Sequence, residues 1–171
     1  MCSFLGDWRL PSSMQRILVV LTLLAGACTQ AEPAVNFIGR IAVGMSRDNL
    51  VKVTARSPER CATCDGGQTY VSLQLTAESV AQTPWLVALG VSTRDHDSRI
   101  DVYLDGDHVS IIRAGWLVGD AIDVKARALE SLGQPQSDSL ENHVEVLTWS
   151  REPAVELTLT NNRLVEVRLL K

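Results

Sequence analysis

The chain is poor in aromatic residues, which make up 5% of it, and it holds three histidines and four cysteines. So few imidazoles and thiols leave little material for a metal centre. No Gly-x-Ser-x-Gly, His-Glu-x-x-His or phosphate-cradling glycine loop occurs, so the compact signatures of serine hydrolases, zinc peptidases and nucleotide-binding enzymes are missing. Long hydrophobic runs are missing too. Ile17 to Ala27, the most apolar stretch, is about half the ~20 residues that a bilayer-crossing helix needs. Basic charge is also in deficit: 16 Lys and Arg stand against 20 Asp and Glu, for a net charge of −4. Neither the balance nor any basic cluster favours nucleic acid as a partner. There is no low-complexity segment and no block of like charge that would mark an interaction tail.

What the chain has instead is a leader. Arg16 supplies a cationic start, Ile17 to Ala27 an uncharged core, and Ala25-Gly26-Ala27-Cys28 a small-residue ending that resembles the lipobox of bacterial lipoproteins. This pattern predicts export, cleavage before Cys28 and lipid attachment to Cys28. Asp7, Trp8 and Pro11 do not suit an export signal, so Met14 is the expected initiator and residues 1–13 a start-site artefact. Residues 1–27 are then the signal peptide, 28–36 a lipidated tether and 37–171 one periplasm-facing domain. One acyl chain binds a membrane marginally, whereas the three of a mature lipoprotein hold firmly. Thr29 follows the cysteine, and since inner-membrane retention in this class goes with Asp there, the outer membrane is the implied address.

Two periodicities outline the domain. Asp120 can cap a helix in which Ile122, Ala126, Leu129 and Leu132 share a face, and Gly133 and Pro135 stop it. Ser46 can cap a shorter helix through Leu50, Val51 and Val53 that ends before Pro58. Elsewhere the period is two. Val71, Leu73 and Leu75 alternate with polar residues, and Trp85–Ser92, Ile100–Leu104, His108–Arg113, Val144–Trp149, Val155–Leu159 and Leu164–Leu170 read as further strands. Asp105-Gly106 and Asn161-Asn162 are the expected tight turns. The expected fold class is α+β, an antiparallel β-sheet with helices on one face. Val43-Gly44 with Asp48 recurs as Val118-Gly119 with Asp123, each ahead of a helix and a run of strands, which predicts two tandem helix-plus-meander units over 38–113 and 114–171.

Gly44-Met45-Ser46 followed by Leu50, and Leu132-Gly133-Gln134-Pro135 ahead of a meander, resemble the signatures of the SmpA/OmlA lipoproteins and of the tandem β-lactamase-inhibitor-protein fold. The resemblance implies a non-enzymatic module that binds another protein of the cell envelope, in outer-membrane assembly or in enzyme inhibition. An immunity or inhibitor lipoprotein against a periplasmic enzyme is the alternative within that class, and a thiol redox or metal-dependent enzyme the alternative outside it.

Three groups of residues bear on these alternatives. Cys61 and Cys64 are close enough to oxidise outside the cytoplasm, and the simplest reading is a disulfide pinning the loop after the first helix. A redox role would need a helix N-terminus at Cys61, and zinc would need two more ligands. Asp95-His96-Asp97 and Asp105-Gly106-Asp107-His108 mix carboxylates with imidazoles, but an intervening strand separates them by on the order of 20 Å. No metal ligand set, catalytic residue or cofactor is assigned, and His143 reads as an exposed loop residue. Of the tryptophans, Trp85 suits a core and Trp116 the closing of a sheet end. Leu147 and Trp149 share a strand face opposite Val144 and Val146. One of those faces is exposed if the alternation is strict, and Leu147 with Trp149 is the candidate protein-contact patch.

Overall fold

The computed structural model describes residues 35–61, 68–94, 97–160 and 163–171. Among them the order is β1 (Phe37–Ile38), β2 (Ile41–Ala42), α1 (Arg47–Thr54), β3 (Glu59–Arg60), β4 (Thr69–Gln74), α2 (Ala77–Ala81), α3 (Pro84–Ala88) and β5 (Ser92–Thr93). There follow β6 (Arg99–Asp105), β7 (His108–Gly115), β8 (Leu117–Val118), α4 (Ala121–Leu132), β9 (Ser137–Glu141), β10 (Val144–Trp149), β11 (Ala154–Thr160) and β12 (Arg163–Leu170). Among the described residues no helix is long and apolar enough to cross a membrane.

Eight strands form one antiparallel sheet in the order β3-β4-β6-β7-β12-β11-β10-β9. The chain thus lays down four strands after α1 and four more after α4, and the last strand of each set, β7 and β12, join the halves. In the first set α2, α3 and β5 are interposed between β4 and β6, whereas β9 to β12 follow one another directly. The repeated glycines do different work. Gly44 takes a left-handed φ of +84°, whereas Gly119 allows a close approach, because a Cβ there would sit 2.9 Å from a Val124 methyl group.

Register explains why one face is core. Val71, Val102, Ile112, Leu169, Val155 and Trp149 are successive partners across six strands, and all are buried. A parallel row runs Leu73, Ile100, Ala114, Val167, Leu157, Leu147. Leu50 of α1, Val80 of α2, Trp85 and Leu86 of α3, and Ala121, Val124 and Ala128 of α4 close over these rows in a single core. The α+β class with helices on one side is therefore as expected.

Local chemistry starts and stops the helices. Ser46 Oγ accepts from the Asn49 N–H at 3.4 Å, and Asp120 Oδ1 accepts from Ile122 and Asp123 at 3.0 and 3.3 Å. These satisfy N–H groups that have no partner inside the helix. Two helix details depart from the sequence reading. On α4 the buried stripe is Ala121, Val124 and Ala128, and Ile122 is 70% exposed. Both stripes have helical spacing, and the small residues allow α4 to lie close to the sheet. Trp85–Ser92 is not one strand: Trp85–Ala88 is helical, and only Ser92 belongs to a strand, β5. Thr83 and Pro84 open α3, since proline at the first helical position has no N–H to leave unpaired, and Trp85 turns inward to donate from Nε1 to Phe37 O at 2.8 Å.

Turns show a similar shift. Asp105 pairs with His108, so the loop of the β6–β7 hairpin is Gly106-Asp107, one residue later than expected, with Gly106 at φ +58°. Between β9 and β10, Asn142 and His143 both have positive φ, +50° and +67°, as a two-residue hairpin turn requires. Asn161-Asn162 lies outside the described residues.

Candidate functional site

Alternation sends every second side chain to the sheet face opposite the core, and there the same register builds a surface. Tyr70, Tyr103, Ile111, Leu170 and Ala154 are successive cross-strand partners, each half-buried. The two tyrosine rings stack with centroids 6.0 Å apart and planes 23° from parallel, within the offset-stacked range for aromatic pairs. Beside this apolar row runs a polar one: Ser72, Asp101, Arg113, Arg168, Glu156 and Thr148. Among the described residues no helix buries its apolar side on this face, because the helices' buried residues belong to the core opposite.

The polar row is held by a carboxylate that belongs to neither of its ends. Glu166 is 6% exposed and pairs across the strands with Gly115. Arg113 Nε donates to Glu166 Oε2 at 2.5 Å, Arg168 Nε donates to Glu166 Oε1, and Arg168 Nη1 lies 3.7 Å from Glu156 Oε2. Partial burial by itself would lower the pKa of Arg113. The hydrogen bond and charge of Glu166, helped by Tyr103, outweigh it and hold the guanidinium above its ordinary value. Asp101 accepts from Ser72 Oγ at 2.6 Å. These bonds fix side chains that would otherwise be free to rotate.

At one end of the same face stands Trp116. Instead of closing the sheet end it is 61% exposed, and its backbone is left-handed at φ +60°. That conformation costs a non-glycine residue about 1–3 kcal/mol and survives only where the surroundings impose it. Ser98 bonds this segment: its buried hydroxyl donates to Trp116 O at 2.8 Å and accepts from the Arg94 N–H at 2.7 Å. Trp116 borders an open cavity of about 590 Å³ together with Arg94, Asp97, Arg99 and Asp101.

The residues singled out by sequence fall as follows. Leu147 is fully buried and Trp149 is 3% exposed, with Trp149 Nε1 donating to Gly133 O at 2.9 Å. The proposed contact patch at Leu147 and Trp149 is therefore corrected to core: their cross-strand partners are Leu157 and Val155, and all four lie in the same buried cluster as Ala121, Val124 and Ala128 of α4. Cys61 is buried and disulfide-bonded. Cys64, its expected partner, lies outside the described residues, as do Cys28 and the whole leader, Asp95 and His96. Asp107 and His108 serve docking. Asp107 O accepts from the Arg47 N–H at 2.8 Å, and Ser46 bridges to His108, so the β6–β7 turn anchors the start of α1. His143 is exposed in its turn. Among the described residues no group of three or more His, Cys, Asp or Glu could hold a metal ion.

One further ion cluster ties α4 to the sheet edge. Lys125 bonds to Glu145, and to Asp138 at 3.1 Å. The bond to Glu145 raises its pKa above the ordinary 10.5, against partial burial and with help from Asp138. A folded-state value above the unfolded one means stabilisation that is complete below about pH 10.5 and is lost as pH rises through the raised value. Lys125→Met is expected to be less stable than wild type by up to about 1 kcal/mol near neutrality, since solvent reaches the ammonium. Urea midpoints measured at about pH 7 and about pH 11 check this: the difference between the two proteins should narrow at the higher pH.

No family model matches the chain, and no curated protein matches it. Among solved structures it is similar to a DUF4309 family protein, YjgB, from Bacillus subtilis subsp. subtilis str. 168, at 9% identity and a TM-score of 0.43, over 80% of this chain and 82% of that one.

Proposed function

We propose that this chain is a membrane-anchored bacterial lipoprotein that works as a non-enzymatic protein-binding module of the cell envelope. The observation that carries the binding role is the row Tyr70-Tyr103-Ile111-Leu170-Ala154, an apolar stripe beside locked charges on a sheet face that no described helix covers. Such a stripe gives a partner something to bury. The neighbouring Arg and Glu groups, already fixed by one another, can select for charge while little side-chain entropy is lost on docking. Anchoring is supported by the leader ending at Cys28 and by the short stretch between Cys28 and Val35, where the described domain begins. The helix-plus-four-strand order of both halves supports the likeness to the tandem inhibitor-type fold.

Two measurements test the reading. Cys28→Ala should abolish acyl-chain labelling and leave an unprocessed precursor; label that persists on that variant removes Cys28 from the account. A photocrosslinking residue at position 103 or 111, on the open face, should give a discrete adduct in intact envelopes, while one at exposed position 122 on α4 should not. If position 122 alone yields the adduct, recognition belongs to the helical side. The identity of the adduct then separates an assembly partner from an enzyme held inactive.

A further inference from the structure

We propose that the Trp116 cavity binds a neutral saccharide. Among the described residues the cavity is lined by one exposed indole and by two guanidinium and two carboxylate groups, Arg94, Arg99, Asp97 and Asp101. This set is balanced in charge. A phosphate or sulfate would meet two carboxylates, and a metal ion two guanidiniums, so neither ion finds a site of one sign. A sugar hydroxyl suits both groups, because it donates to a carboxylate and accepts from a guanidinium. Arg99 has no hydrogen-bond or ion-pair partner among the described residues, and Arg94 and Asp97 approach only to 4.0 Å. Their polar atoms remain open to a ligand. Asp101 is oriented by Ser72, which occupies Oδ1 and leaves Oδ2 available.

The indole supplies the other half of the chemistry. A pyranose presents a flat face of C–H groups, and a broad exposed ring buries that face while the hydroxyls at its rim meet the charged groups. Trp116 is also placed with care: its carbonyl accepts from the Ser98 hydroxyl, and its backbone takes a left-handed conformation that glycine would adopt more readily. The two other described tryptophans, Trp85 and Trp149, are 2% and 3% exposed. This inference is independent of the lipid anchor and of the protein-binding stripe.

The test uses the full chain and three uncharged probes, cellotriose, maltotriose and the trimer of N-acetylglucosamine, titrated by calorimetry into the millimolar range. At least one should bind saturably and shift tryptophan emission. Trp116→Ala should weaken that binding at least about tenfold, with Trp116→Phe intermediate, because stacking on an aromatic face is worth about one factor of ten or more. Asp101→Asn should weaken it severalfold with the fold unchanged by circular dichroism. Cys28→Ala should bind the sugar as wild type does, which keeps this result separate from the anchoring one. Saturation by none of the three sugars overturns the proposal, as does equal affinity in Trp116→Ala. Displacement of emission by poly-glutamate or poly-lysine but by no sugar would also overturn it, in favour of a peptide ligand.

Discussion

Trp149→Ala is expected to destabilise the domain by about 3–5 kcal/mol, a large part of the stability of a domain this size. Trp149 ends the buried row that begins at Val71, and it packs where β10, β11 and the end of α4 meet. Removing the indole empties a space that the neighbouring strands, held by their ladders, cannot close. The hydrogen bond to Gly133 O is a smaller part, since that carbonyl belongs to an exposed residue that water can reach. Trp149→Phe keeps most of the volume and loses the bond, so its cost should be nearer 1 kcal/mol. Urea unfolding followed by circular dichroism reads both. A loss below about 1 kcal/mol for Trp149→Ala would mean that the side chain is a surface group after all.

That residue also marks where sequence reasoning reached its limit. The alternation along Val144–Trp149 was legible, but alternation gives two faces and does not say which is covered. The answer lies in residues of other strands: Leu157 and Val155 face Leu147 and Trp149, whereas Val146 faces Thr158 and Val144 faces Thr160. The helices with caps were legible for a related reason. Ser46 and Asp120 act within one turn, so the information is local. The α2–α3 segment misled because its apolar run is short enough to suit either element, and the Thr83-Pro84 start was the signal to weigh. β9 was missed because it is an edge strand, exposed at every residue, and so carries no hydrophobic alternation.

The candidate site was less legible than the fold. Its apolar row draws one residue from each of five strands spread between Tyr70 and Leu170, and its polar row from six. No motif spacing records such a set. Trp116 was visible as a tryptophan between two elements, but its exposure and its left-handed backbone, whose carbonyl accepts from Ser98, are not written in its neighbours in sequence. Glu166 had no signal at all, since an acidic residue in an alternating strand is the usual mark of a solvated face.

Glu166→Gln is expected to cost about 2–3 kcal/mol, more than any other single change on the open face. Arg113 and Arg168 are direct cross-strand partners, and Glu166 is the carboxylate that both Nε groups bond. Without its charge, two like charges face each other on adjacent strands, which is destabilising by itself, and a nearly buried amide takes the place of a carboxylate that accepted from both. A fully buried pair broken in this way loses about 3–5 kcal/mol; here the arginines are 41% and 43% exposed, so solvent returns part of that. A double-mutant cycle separates the clamp from mere loss of packing. Arg168→Gln alone should cost less than Glu166→Gln, because it leaves Glu166 paired with Arg113, and adding it to Glu166→Gln should cost little more, for a coupling of about 1 kcal/mol or greater. Strict additivity would show that the two guanidiniums do not share the carboxylate. The same variants carry a consequence for binding: if the clamp keeps the charges beside the Tyr103–Ile111 stripe in place, the open-face crosslink should fall in Glu166→Gln under conditions where the protein is still folded.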